Sequence, residues 1–171
     1  MATYANDRLW SDLMIDEIRS IVGPRLLIPA PLEMDANQAT DLFVFTARDM
    51  RIAARVRRPG YADRYPFEFT IRSKRDSGAE TEMSKIVSGW GDWMFYGHAT
   101  EENRIGLWWL IDLHVFRRSL ILHKRDGVTR IRSAQQSNQD GTHFMAYDLR
   151  SFPQHPPILI ASSRNLFEAA A

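Results

Sequence analysis

Hydrophobic and polar positions follow a helical period at the start of the chain. From Asp7 to Val22, apolar residues recur at spacings of three and four, which is the pattern of a helix that buries one face. Gly23 and Pro24 end this pattern, because glycine favours a helix C-terminus and proline does not continue a helix. The first element is therefore predicted to be an amphipathic helix over residues 7–22.

Three segments that follow this helix have the pattern of strands. Residues 41–46 are short and aromatic, residues 50–58 alternate between apolar and basic side chains, and residues 67–73 alternate again. Consecutive strands with short connections usually pair with each other, so these three are predicted to form one antiparallel meander.

The rest of the chain continues with a second helix and further strands. Helical spacing of apolar residues predicts a helix from about Glu80 to Tyr96, although Gly89 and Gly91 interrupt it. The apolar run from Ile105 to Phe116 is typical of a central strand that is buried on both faces. Further strands are predicted at 119–123, 128–132, 144–149 and 158–161, with a turn at 138–141.

Length and composition agree with a globular protein. The chain has 171 residues, of which 44% are apolar, and this is enough for a substantial core and excludes intrinsic disorder. The order of elements predicts an α+β fold in a single domain over residues 1–171, with an antiparallel or mixed central sheet flanked by helices. Cysteine is absent, which excludes disulfide scaffolds, thiol nucleophiles and cysteine-ligated metal sites.

The charge balance excludes a generally basic protein. There are 22 lysine and arginine residues against 21 aspartate and glutamate residues, so any contact with a polyanion depends on a local patch. Neither a membrane-spanning apolar run nor the pattern of a secretory signal is found. The sequence therefore predicts a soluble, cytoplasmic protein with no membrane partner.

Two carboxylates belong to the predicted meander. Asp41 opens its first strand and Glu68 lies on its third, so a simple hairpin register brings them to the same level of the sheet. Such a pair suits Mg²⁺ or Mn²⁺, because hard cations prefer oxygen ligands and retain water molecules that act as nucleophiles. The alternative for Glu68 is an ordinary solvent-facing position between two buried phenylalanines.

The order of elements, with Asp41 before an apolar strand and Glu68 within FEFTI, resembles the restriction-endonuclease-like core of the PD-(D/E)XK nuclease superfamily. The resemblance covers residues 7–113 and is mainly topological. It implies a Mg²⁺- or Mn²⁺-dependent nuclease that hydrolyses DNA phosphodiester bonds, with Asp41 and Glu68 as metal ligands and catalytic residues. Thr70 occupies the position of the family lysine. Lys85 and Arg72 are the implied catalytic substitutes for that lysine.

The departure at Thr70 leaves two other functions open. One is a degenerate domain of the same fold that binds nucleic acid or a protein partner, and the other is a structural or assembly protein without nucleic-acid contact. Lys85 also has a simpler interpretation, as an exposed residue paired with Glu82 or Asp92. The segment from Thr81 to Gly97 additionally resembles uncharacterised phage or prophage proteins.

A cluster of cations begins on the second predicted strand and is followed by Tyr61, Arg64 and Tyr65. Surfaces of this kind contact phosphates and stack unpaired bases, so the cluster predicts nucleic-acid binding. Arginines on an exposed strand also protect a sheet edge against aggregation, which is the alternative. The arginines in this predicted interface are Arg51, Arg55, Arg57, Arg58 and Arg64. The tryptophans nearest in sequence to the second helix and central strand are expected in the core: Trp90, Trp93, Trp108 and Trp109.

Overall fold

The computed structural model describes residues 4–29, 42–44, 50–125 and 130–167. The chain divides into two compact units, Met1–Met50 and Arg51–Ala171, and each is described by itself. In the first unit, helix α1 (Tyr4–Val22) leads through a 3-10 turn into strand β1 (Leu27–Pro29), which pairs antiparallel with β2 (Leu42–Val44). The predicted first helix and the end of that helix at Gly23 are confirmed.

The second unit contains the larger sheets. Its elements, in chain order, are β3 (Ile52–Arg57), α2 (Tyr61–Arg64), β4 (Glu68–Arg75), α3 (Glu82–Val87), β5 (Trp93–Ala99), β6 (Ile105–Asp112), α4 (Leu113–Arg125), β7 (Ser133–Ser137), β8 (Thr142–Asp148) and β9 (Leu159–Ser162). The chain is therefore an α+β protein, with one mixed sheet, antiparallel sheets and flanking helices.

The mixed sheet has the strand order β3-β5-β6-β9. Strand β3 lies at its edge and runs parallel to β5, and the other pairs are antiparallel. A second sheet has the order β4-β8-β7, all antiparallel, with β7 and β8 joined by a hairpin. The turn of this hairpin contains Gly141 at a φ of 74°, which agrees with the turn predicted at 138–141.

The core of the second unit joins both sheets and α4. Phe69 of β4 packs between the rings of Tyr147 and Phe116, at centroid distances of 5.4 and 5.6 Å. Trp109 and Tyr96 from the mixed sheet belong to the same buried cluster. Because these side chains are almost completely removed from water, the two sheets and the helix are stabilised together.

The predicted three-strand meander is wrong. Its second strand, β3, pairs with β5 in the mixed sheet, whereas its third strand, β4, pairs with β8 in the other sheet. The predicted strand at 119–123 is also wrong, because that segment belongs to α4. Strands predicted at 50–58, 67–73, 144–149 and 158–161 are confirmed to within two residues at each end. The strand predicted from Ile105 to Phe116 begins at Ile105 but ends at Asp112, because residues 113–116 belong to α4.

The predicted helix from Glu80 to Tyr96 is wrong in its second half. The helix α3 ends at Val87, and strand β5 begins at Trp93. Gly89 and Gly91 have φ angles of 94° and 77°, so they form the connection between the helix and the strand. None of the helices in the described part of the chain is long and apolar enough to cross a membrane.

Candidate nucleic-acid interface

The loop after α3 presents an exposed tryptophan on a fixed backbone. Gly89 N–H donates to the carbonyl oxygen of Ile86, and Trp90 N–H donates to that of Lys85, both at 3.0 Å. These two bonds, with glycine in the left-handed conformation, form a Schellman motif at the helix C-terminus. Trp90 is 59% exposed, so its predicted place in the core is wrong.

An arginine at the start of β3 lies against this tryptophan. The guanidinium carbon of Arg51 is 5.1 Å from the centre of a Trp90 ring. Asp92 holds Arg51 in place, because Oδ2 of Asp92 accepts from the Arg51 backbone N–H at 2.9 Å and lies 3.4 Å from Nε. The backbone hydrogen bond, together with the side-chain contacts of Arg51 and His114, holds the pKa of Asp92 below its ordinary value.

A second pair of cation and aromatic ring lies at the other end of β3. The guanidinium carbon of Arg57 is 4.1 Å from the Tyr61 ring centre, and the Tyr61 and Tyr65 rings are 6.4 Å apart. The tyrosines are 39% and 40% exposed. Arg58 and Arg64 are exposed residues of the same segment. Gly60, with a φ of 83°, immediately precedes the short helix α2 and turns the chain from β3 into it.

The two pairs are separated by the length of one strand. Strand β3 has six residues and extends about 20 Å. Arg51 and Arg57 both occupy odd positions, so alternation assigns them to one face of the sheet together with Arg55, which is engaged in contacts within the protein. We call the surface formed by Arg51, Trp90, Arg57, Tyr61 and Tyr65 the β3 surface. It combines exposed aromatic rings with two arginines, of which Arg51 is paired with Asp92.

Arg55 is part of the predicted interface, but its side chain makes contacts within the protein. Its Nη2 lies 3.1 Å from Oε2 of Glu82, and its Nη1 donates to the carbonyl oxygen of Thr70 at 3.0 Å. Only 19% of the Arg55 side chain is exposed. We therefore do not include Arg55 in the β3 surface.

His98, the neighbour of Arg57 on strand β5, is buried in the neutral form. His98 is 2% exposed, and neither ring nitrogen has a hydrogen-bond partner among the described residues. Burial, and secondarily the charge of Arg57, lowers its pKa to about 4. His98 therefore adds no positive charge near neutral pH, and the charge at this end of β3 comes from arginines.

Of the predicted metal ligands Asp41 and Glu68, only Glu68 is among the residues that the structure describes. Asp41 lies outside the described residues. Glu68 is half-buried and lies opposite Asp148 in the β4–β8 pair. Burial and the neighbouring Asp148 carboxylate raise the pKa of Glu68, and Arg150 opposes this effect. Across the described part of the chain, no three His, Asp or Glu residues form a metal-binding group.

Both carboxylate oxygens of Asp148 are paired with arginine side chains. It accepts from Nε and Nη2 of Arg150 at 3.0 Å each, and Nη2 of Arg132 lies 2.7 Å from Oδ2. Burial acts against its charge, but these arginines keep the pKa of Asp148 below its ordinary value. Asp148 is therefore an ion-paired neighbour of Glu68.

Thr70, at the family lysine position, and its two candidate substitutes, Arg72 and Lys85, have different surroundings. Thr70 is buried, and its Oγ1 lies 3.1 Å from the hydroxyl oxygen of Tyr96. Arg72 is half-buried against Phe144 with its Nε unpaired, and burial and nearby arginines lower its pKa. Lys85 is exposed on α3. Of the partners suggested for Lys85, Asp92 instead contacts Arg51 and His114.

Two aromatic residues that contact arginine side chains, Trp90 and Phe67, were not identified from the sequence. Trp90 has a recognisable signal, because a tryptophan between two glycines suits a loop better than a helix interior. Phe67 has no such signal: its ring contacts the guanidinium groups of Arg150 and Arg164, at 4.4 and 5.5 Å, and these residues are distant in sequence.

No family model matches the chain, and neither a curated protein nor a solved structure matches it.

Proposed function

We propose that this chain binds single-stranded nucleic acid across the β3 surface, with bases stacked on Trp90 and on the Tyr61–Tyr65 pair. The observation that carries the proposal is the pair of exposed aromatic sites, each contacted by an arginine from an opposite end of the same strand. DNA is the expected ligand, in agreement with the sequence analysis.

The chemistry of the β3 surface favours unpaired bases. Stacking of a base on an aromatic side chain contributes about 1–3 kcal/mol, and every base has a ring face that can make this contact. In a duplex the bases already stack on one another, so they do not reach Trp90 or Tyr61. The length of β3, about 20 Å, corresponds to about six stacked nucleotides at 3.4 Å each.

Electrostatics supports the same ligand. Arg57, Arg58 and Arg64 lie within one short segment, and Asp63 is the acidic residue among them. The net charge of the whole chain is only +1, so this local excess is what attracts phosphates. Binding is therefore expected to weaken steeply with salt, because each phosphate contact releases counterions.

Fluorescence anisotropy with a labelled oligothymidylate of about twelve nucleotides tests the proposal. We expect binding at low salt and weaker binding to a duplex of equal length. Trp90→Ala and Tyr61→Ala should each reduce affinity about tenfold. Ile121→Ala, which removes another exposed apolar side chain, is the matched control and should leave affinity unchanged. Absence of binding at low salt, or equal losses in all three variants, would reject the proposal.

Metal-dependent hydrolysis of the bound strand is a second candidate, in line with the resemblance to the PD-(D/E)XK superfamily. The observation that favours it is Glu68, whose raised pKa reflects burial beside another carboxylate. A divalent cation would stabilise the charged form of Glu68. Lys85 or Arg72 would then stabilise the charge that develops on the phosphate.

Nicking of single-stranded DNA and of a plasmid, each with Mg²⁺ or Mn²⁺, tests this candidate separately from binding. Glu68→Gln should abolish nicking while leaving strand binding in metal-free buffer intact. Wild-type protein that binds the strand but does not nick DNA with either metal would leave the chain as a binding domain only.

A further inference from the structure

A groove of about 570 Å³ lies beside Phe67, at the C-terminal end of the described chain. Its volume is within the range of about 300–1,000 Å³ that is usual for small-ligand sites. Phe152, Ile158, Leu166 and Phe167 give it apolar walls, and His155 and Arg164 belong to its polar lining. No acidic residue is among the described residues that line it.

Arg164 is the main cation of this groove. Its guanidinium lies 5.5 Å from the Phe67 ring, and no acidic side chain pairs with it among the described residues. Arg150 contacts the same ring but is neutralised by Asp148. An apolar groove with one uncompensated guanidinium suits a ligand that has a flat apolar part and an anionic part.

Phe67 contacts residues that line the groove, and in sequence it is close to the aromatic platform of the β3 surface. Tyr65 is the last ring of that platform, and Phe67 follows it by two residues. The backbone carbonyl of Phe67 accepts from the N–H of Leu149, which itself lines the groove. The short segment of residues 65–67 therefore carries both the last ring of the platform and a residue that contacts the groove lining.

We infer that the groove binds one nucleoside monophosphate unit, with its base between the apolar walls and its phosphate paired with Arg164. This inference rests on the proposed function, since the expected source of the unit is the terminal nucleotide of a strand bound at the β3 surface. A free mononucleotide has the same chemistry, and the experiment separates the two sources.

Calorimetric titration with thymidine monophosphate and with thymidine tests the groove itself. We expect the monophosphate to bind at least about tenfold more tightly than the nucleoside, because only the phosphate pairs with Arg164. Arg164→Gln should remove that difference, and Phe167→Ala should weaken both ligands. Arg130→Gln, at another exposed arginine, is the matched control. Equal affinities for both ligands in the wild type, or no binding of either, would overturn the inference.

Oligonucleotides then identify the source of the unit. A linear oligothymidylate with a terminal phosphate should bind more tightly than a circular one of equal length, and Arg164→Gln should equalise them. If linear and circular strands bind equally and the mononucleotide does not bind, the groove inference is wrong while the β3 surface stands. If the mononucleotide binds but no oligonucleotide does, the groove takes a free nucleotide and the proposed function fails.

Discussion

Arg55 and Glu82 form an ion pair that links the edge of the mixed sheet to helix α3. The distance between Nη2 and Oε2 is 3.1 Å, and the two side chains are 19% and 26% exposed. Arg55 also donates to the backbone carbonyl of Thr70 on β4, so one guanidinium connects three elements. This arginine therefore has a role in stability, whereas Arg57, at the end of the same strand, contacts an exposed ring.

Replacement of these two arginines should separate stability from binding. Arg55→Ala leaves Glu82 and the Thr70 carbonyl without their partner, and we expect the free energy of unfolding to fall by about 1–3 kcal/mol. Arg57→Ala should change stability by less than about 0.5 kcal/mol but weaken nucleic-acid binding and reduce its salt dependence. Urea denaturation and anisotropy measure the two effects. A stable Arg55→Ala variant with impaired binding would contradict this division of roles.

Gly89→Ala should affect both the fold and the candidate interface. An added Cβ meets open space, but a φ of 94° is unfavourable for alanine and costs about 1–2 kcal/mol. Because Gly89 closes the Schellman motif that positions Trp90, the variant should also bind single strands more weakly. Thermal denaturation and anisotropy measure these two outcomes.

Gly23→Ala is the matched control for Gly89. Its Cβ also meets open space, and its backbone φ is not in the left-handed region, so no comparable strain arises. If both alanine variants were equally stable and bound equally well, the conformation at Gly89 would not be what fixes Trp90.

The buried His98 should make stability depend on pH. Its pKa is about 4 in the folded protein and 6.5 ordinarily, so the unfolded chain takes up a proton first as the pH falls. His98 therefore costs no stability above pH 6.5 and progressively more between pH 6.5 and about 4, up to about 3 kcal/mol. Urea denaturation at several pH values measures this loss.

His98→Leu isolates this contribution, because leucine fills the site without a titrating group. The variant should lose less stability than the wild type between pH 6.5 and 4. His155→Leu, at an exposed histidine, should retain the wild-type pH dependence. Identical pH profiles for the wild type and His98→Leu would show that His98 titrates normally.

Local patterns predicted the individual elements better than their partners. The spacing of Met14, Ile18 and Val22 predicted α1, and all three are buried. Strict alternation predicted β3 and β4 as strands. Alternation specifies which residues share a face but not which strand lies alongside, so the parallel pairing of β3 with β5 had no local signal.

The errors around α3 have a physical cause. Ile86, Trp90 and Trp93 follow helical spacing, but the positive φ angles of Gly89 and Gly91 end the helix and start a strand. The arginine cluster itself was visible in the sequence. What was not visible is that Arg55 turns to Glu82, since that contact depends on how β4 and α3 pack.

Quenching of tryptophan fluorescence by a single strand tests the central claim most directly. Trp90 is 59% exposed, whereas Trp10 and Trp93 are half-buried and Trp108 and Trp109 are buried, so Trp90 is the most accessible tryptophan among the described residues. Titration with an oligothymidylate of about twelve nucleotides should quench wild-type fluorescence to saturation at low salt. Trp90→Leu should lose most of that quenching and bind about tenfold more weakly. Equal quenching in the wild type and in Trp90→Leu, or no quenching in the wild type, would contradict base stacking on the β3 surface.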